Sequence, residues 1–114
     1  MTMIYKICEA VQWEEARNAG EFRGSAVDFA DGYIHFSTVG QVAETAARHF
    51  AGQRGLVVVA VRAEELGPAL RWEPSRGGAL FPHLYGTLSL SAVRWVKPLP
   101  LDDSGHHVFP PLED

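Results

Sequence analysis

The chain has 114 residues, 46% hydrophobic and 21% charged, an ordinary balance for one folded unit that buries its own core. Its net charge is −4 and its ten basic residues are scattered, so there is no electrostatic footprint for nucleic acid and none is expected as a partner. No apolar run approaches a membrane span, the N-terminal residues meet Glu9 too early for a signal peptide, and Cys8 has no second cysteine to pair with. The expectation is a single domain over residues 1–114, in the cytoplasm and away from membranes.

Alternation predicts a first strand from Met3 to Cys8, with Tyr5 and Ile7 on one face and Ile4, Lys6 and Cys8 on the other. From Glu9 the period changes. Ala10, Trp13 and Ala16 recur at three-residue spacing while Glu14, Glu15 and Arg17 face away, the pattern of an amphipathic helix ending near Asn18. Gly20 supplies its left-handed cap, and Trp13 anchors it in the core. Glu21 to Ala30, with Gly24, Ser25 and Asp28, has no clear period and reads as a loop with one helical turn; Arg23 in it is expected at the surface.

The stretch Asp31-Gly32-Tyr33-Ile34-His35-Phe36-Ser37-Thr38 reads as a turn, a short strand and a helix start. Strand alternation gives Ile34 and Phe36 one face, the core, and sets Tyr33, His35 and Ser37 in a row on the other. A strand built only for packing does not need a phenol, an imidazole and a hydroxyl together. Thr38-Val39-Gly40-Gln41 fits a capping box, with the Thr38 hydroxyl taking a free amide and Gln41 reaching back. The free amides just after Ser37 are then placed to receive an anionic group. Val42, Ala46 and Phe50 form the buried stripe of this second helix, which Gly52 closes.

Leu56 to Val61 is unbroken apolar sequence, as in a strand covered on both faces in mid-sheet. Glu64 to Pro68 forms a turn, and Leu70-Arg71-Trp72-Glu73 alternates, with Arg71 and Glu73 on one side. Pro74 to Gly78 is a breaker-rich loop. Leu80 to Gly86 sets Phe81, His83 and Tyr85 on one face and is expected at a sheet edge, because Pro82 forbids one ladder bond. Leu88 and Leu90 lead to a last strand over Ala92 to Leu99; Trp72 and Trp95 are expected in the core. Asp102 to Asp114 wraps the surface or frays. The fold class is α+β, a split, mostly antiparallel sheet with two main helices crowded toward one side.

No His-Glu-x-x-His and no cysteine cluster is present, and His106-His107 beside Asp102 and Asp103 reads as solvent-exposed, so no metal is expected. There is no P-loop, no dinucleotide fingerprint and no nucleophile elbow. His35 and Ser37 stand about 6–7 Å apart along a strand, awkward for a nucleophile and its base, and Cys8 reads as a small buried hydrophobe. A polar pocket is left. His35, Ser37, Glu73, His83 and Tyr85 lie on strand faces opposite apolar partners and can converge on one cleft, where rings stack on a base and polar tips bind hydroxyls. The same histidines also read as hydrogen-bonded structural residues.

At Gly32-Tyr33-Ile34-His35-Phe36-Ser37, Arg71-Trp72-Glu73 and Phe81-Pro82-His83-Leu84-Tyr85-Gly86 the chain resembles the bacterial family known as domain of unknown function 952. Supporting matches are Ile4-Tyr5-Lys6-Ile7, Trp13 with Ala16 and Gly20, Gln41-Val42-Ala43 and Ala92-Val93, so the resemblance runs through nearly the whole chain in order. That family looks like a divergent branch of the ADP-ribosyltransferase fold, which also includes RNA 2′-phosphotransferases. The resemblance implies a cleft between two half-sheets that binds NAD as a substrate. It makes Glu73 the candidate acidic residue, while His35 with Ser37 and His83 with Tyr85 are the family's own motif residues without an assigned role; the pocket reading takes Glu73, His35 and His83 as catalytic and Lys6, Tyr33, Ser37 and Tyr85 as substrate contacts. Lys6 stands where relatives commonly have a ribose-holding His. Two further readings stay open: a non-catalytic module binding a nucleotide-like metabolite or a protein, and a metal-independent hydrolase using His35 and His83 as an acid–base pair.

Overall fold

The unbroken apolar run sets the frame. Leu56–Arg62 forms a strand that pairs antiparallel with Met3–Glu9 on one side and with Val93–Pro98 on the other. The computed structural model describes residues 2–114. In chain order they build β1 (Met3–Glu9), α1 (Ala10–Ala19), β2 (Glu21–Phe22), α2 (Ala26–Asp31), β3 (Ile34–His35), α3 (Val42–His49), β4 (Leu56–Arg62), β5 (Leu70–Pro74), β6 (Leu80–Leu84), β7 (Leu88–Ser89) and β8 (Val93–Pro98). Short 3-10 turns occupy Ala63–Ala69, Arg76–Gly78 and Leu90–Ala92. The fold is α+β, and its named strand pairs are all antiparallel. Among the described residues no helix is long and apolar enough to cross a membrane.

Alternation along β4 buries Val59 and Val61 in one cluster and Leu56, Val58 and Ala60 in another, so both faces of the sheet β1-β4-β8 are covered. Trp13 of α1, Phe22 of β2, Ile34, Phe36 and Leu84 cover the first face. Val42 and Ala46 of α3 cover the second, joined by Phe109 and Leu112 of the C-terminal segment. Gly20 caps α1 in the left-handed conformation that the periodicity predicts.

Several expectations are corrected. The predicted single split sheet is three small sheets, β1-β4-β8, β2-β7 and β3-β6-β5, and the segment predicted as a loop with one helical turn supplies the strand β2 as well as the short helix α2. The strand carrying Pro82 is the middle of its sheet, with β5 at the edge. A central proline is tolerated because β3 is short: Phe36 donates its N–H to the Pro82 carbonyl at 3.0 Å, and Pro82 has no N–H to return. Trp72, predicted as core, sits on the edge strand and is 42% exposed. Finally, α3 begins at Val42 rather than beside Ser37. Gln41 does reach back to the Thr38 N–H (3.0 Å), but the Thr38 carbonyl takes the Gln41 and Val42 amides, so those amides are not open to an anion. The helix closes on Phe50, before Gly52.

The released chain after β3 changes sheets at once. Ser37 exchanges both backbone hydrogen bonds with Tyr5 of β1, at 2.8 and 2.9 Å. Tyr33 to Ser37 therefore stitches the edge of one sheet to the edge of the other, and the Ser37 hydroxyl meets Thr45 Oγ1 of α3 at 2.9 Å.

The C-terminal segment wraps the surface. The buried Tyr5 hydroxyl donates to the Glu113 carbonyl and accepts from the Glu113 N–H at 2.8 Å, while Arg94 holds the Glu113 carboxylate at 2.9 Å. Tyr5→Phe is expected to lower stability by about 1–2 kcal/mol, because the strap loses its anchor on β1. Urea denaturation checks this; a change within error would mean that the strap is held by Phe109 and Leu112 alone.

Candidate functional site

The site is built on Asp28, which enters the interior through the geometry of a very short helix. Ser25 opens α2, and its backbone N–H and hydroxyl both donate to Asp28 Oδ2, at 2.8 and 3.1 Å. Gly24, at φ 128°, leaves room for the turn: a Cβ there would stand 2.9 Å from Asp28 Cβ. Gly32, at φ 87°, ends the helix by donating to the Asp28 carbonyl. So placed, the carboxylate is 2% exposed. It meets Lys6 Nζ of β1 at 2.9 and 3.0 Å, the His35 N–H at 3.1 Å and His35 Nδ1 at 2.6 Å. Burial alone would raise the Asp28 pKa. Hydrogen bonds from His35, Lys6 and Ser25, with the Lys6 charge, outweigh burial and hold it well below the usual carboxylate range.

His35 faces a second carboxylate, with Nε2 2.8 Å from Asp31 Oδ2 one turn along α2. Ionised carboxylates only accept, so both contacts are hydrogen bonds only when both ring nitrogens carry protons. A matching pair stands on the neighbouring strands. Arg71 and Glu73 of β5 share a face with Phe81 and His83 of β6, and Glu73 Oε1 meets His83 Nδ1 at 2.8 Å and the Tyr85 hydroxyl at 2.7 Å. Those bonds, the His83 bond first, hold the Glu73 pKa below its ordinary value. The Arg71 guanidinium lies 4.6 Å over the Tyr85 ring. The Tyr33 ring joins the two pairs, with centroids 4.6 Å from His35 and 4.1 Å from His83.

These rings form one wall of a cavity of about 650 Å³ along the outer edge of β1. Lys6, Asp31, Tyr33, His35 and His83 line it, and Arg48 enters from the last turn of α3. The two histidines are unlike. His35 has both nitrogens on carboxylates. His83 is 4% exposed with Nδ1 spent on Glu73, and among the described residues no side chain takes its Nε2. That nitrogen is the group best placed to exchange a proton with a ligand. Burial pushes the Cys8 thiol up to about 11, so it stays protonated and is a poor nucleophile. Among the described residues no three His, Cys, Asp or Glu side chains are grouped to hold a metal ion.

The sequence matches the family described as "Protein of unknown function (DUF952)" over residues 7–96. The chain belongs to this family. It is similar to the X-ray structure of protein CC0527 from Caulobacter crescentus, a structural genomics target, at 52% identity over 94% of each chain, with a TM-score of 0.91. The solution NMR structure of CC0527 is 54% identical over 93% of this chain and 91% of that one, with a TM-score of 0.83. No curated protein matches the chain.

In this DUF952 chain the residues singled out from the sequence separate into two groups. His35, Tyr33, His83, Glu73 and Tyr85 come together, with the His35 and His83 centroids 5.5 Å apart. Glu73 and Tyr85 stand behind His83 rather than on the cavity wall. Lys6 lines the cavity, but its ammonium is taken by Asp28, and Ser37 is committed to Tyr5 and Thr45. Asp28 and Asp31 were not anticipated. Their signal is local: Ser25-x-x-Asp28 is a capping-box pattern, and Gly32 follows it as a stop.

Asp28→Asn leaves the Lys6 ammonium buried without a counter-charge and is expected to cost about 3–5 kcal/mol, whereas Asp28→Asn with Lys6→Met recovers most of that loss. Because the folded-state pKa of Asp28 is depressed, its contribution is present above the unfolded value of about 4 and fades as the pH falls toward the folded one. Urea midpoints measured from pH 6 down to pH 2 are expected to fall more steeply in the wild type than in the double variant. Parallel curves would show that the pair does not govern acid stability.

Proposed function

We propose that the cleft binds a nucleotide-type ligand of the NAD or ADP-ribose class, and that His83, oriented by Glu73, exchanges a proton with it. The observation that carries this reading is the meeting of two imidazole–carboxylate pairs around Tyr33 on the wall of one cavity. A volume of about 650 Å³ suits a small ligand, since such sites run from about 300 to 1,000 Å³. The Tyr33 ring offers a stacking surface, and imidazole and phenol tips offer partners for ribose hydroxyls. The seam between β1-β4-β8 and β3-β6-β5 is in keeping with the cleft of an ADP-ribosyltransferase-like fold, as the family resemblance implies.

Hydrolysis at the nicotinamide ribose is the reaction this set fits. The C–N bond breaks with its electron pair leaving on nicotinamide, and positive charge builds on the ribose ring. The ionised Glu73 carboxylate, behind His83, acts through that imidazole and stabilises the positive charge it gains on taking a proton. Water attacks the ribose carbon and its proton passes to His83 Nε2. One observation favours a binding module without turnover: Lys6, which stands where relatives commonly have a ribose-holding His, is already neutralised by Asp28.

The test is a thermal-shift series with NAD, ADP-ribose and AMP, followed by nicotinamide release. A ligand at about 100 times its Kd adds about 2.7 kcal/mol and raises Tm by about 10 °C. Release by the wild type, slowed about 100-fold or more in His83→Gln and in Glu73→Gln, is the expected outcome. Stabilisation without release supports the binding module, and no stabilisation by any nucleotide removes the nucleotide reading.

A further inference from the structure

We infer that the cavity has a second end, built by the last turn of α3, that holds a phosphate group of the ligand. This rests on the reading above, in which the His35 and His83 wall takes the sugar and base. The charges around the cavity are not evenly spread. On the wall formed by β3, β6 and α2, Asp31 lines the cavity and Glu73 stands ionised behind His83, so an anion there meets like charge. Lys6 does not offset this, because both its close contacts are to the Asp28 carboxylate.

Across the cavity the character changes. Arg48 and His49, successive residues in the last turn of α3, line it together with Ser75 from the loop after β5. Among the described residues the Arg48 guanidinium bonds a side chain only through Nε, to Glu44 Oε1 at 3.1 Å, in a pair with both side chains more than half exposed. Such a surface pair is weak, and it leaves the guanidinium Nη donors for a ligand. A planar Nη pair fits two phosphate oxygens, His49 adds a nitrogen donor and the Ser75 hydroxyl a third partner. Thr45 is not enlisted, since its hydroxyl already serves Ser37 and the Gln41 carbonyl.

The arrangement selects a phosphorylated sugar over a neutral one, and it sets the ligand's direction: phosphate toward α3, sugar and base toward β3 and β6. Direct binding of AMP and of adenosine, measured by calorimetry at low and at high salt, tests it. The wild type is expected to prefer AMP by about tenfold or more at low salt, with the preference shrinking as salt rises. In Arg48→Gln the preference is expected to fall close to one, with an unchanged circular dichroism spectrum confirming the fold. Equal affinities in the wild type, or a preference that survives Arg48→Gln, overturn the phosphate end while the cleft reading stands. Failure of the wild type to bind either compound overturns both.

Discussion

The buried pair of Lys6 and Asp28 is the constraint on which the site depends. Removing an ammonium and a carboxylate from water costs several kcal/mol per ion, and the cost is recovered only with close geometry and further hydrogen bonds. Here the carboxylate takes two contacts from Lys6, two from Ser25 and two from His35. Nothing in α2 alone would hold six residues helical, since a helix that short is marginal by propensity. The pair draws α2 onto β1, and that position in turn brings Asp31 to His35. Electrostatics at one carboxylate thus sets the orientation of an imidazole on another element.

Much of the frame was legible because burial writes itself into local periodicity. The unbroken run at 56–61 announced a two-sided strand, Trp13 with Ala16 announced the buried stripe of α1, and the row Tyr33, His35 and Ser37 fell opposite Ile34 and Phe36 as alternation requires. The resemblance to domain of unknown function 952 was legible too, and the match over residues 7–96 bears that membership out. What escaped was set by partners far along the chain. Asp28 looks like an ordinary polar residue in a glycine-containing segment until Lys6, 22 positions away, is placed beside it. Trp72 has the bulk of a core residue, but its strand lies at a sheet edge. Pro82 argued for an edge because a proline forbids one bond, and no local signal reveals that the neighbouring strand ends where that bond would form.

The two imidazole–carboxylate pairs resemble each other in sequence and differ in surroundings. His35 is closed in by acceptors on both nitrogens and by its own backbone bond to Asp28, which suits a residue that fixes structure. His83 is held at one nitrogen, by a carboxylate that Tyr85 also supports. Carboxylates thus meet both ring nitrogens of His35 and one of His83. Tyr33 touches both rings, so a shift of either pair is felt by the other through direct contact.

The proline in the middle of β6 has a consequence beyond its own strand. Phe36 gives its N–H to the Pro82 carbonyl and receives no bond in return, because Pro82 has no amide hydrogen. The next residue along that edge, Ser37, bonds Tyr5 of the first sheet instead of β6. The molecule's two halves are thereby fastened at one point and left parted beside it. The cavity opens beside that fastening, with Tyr5 and Ser37 both in its lining.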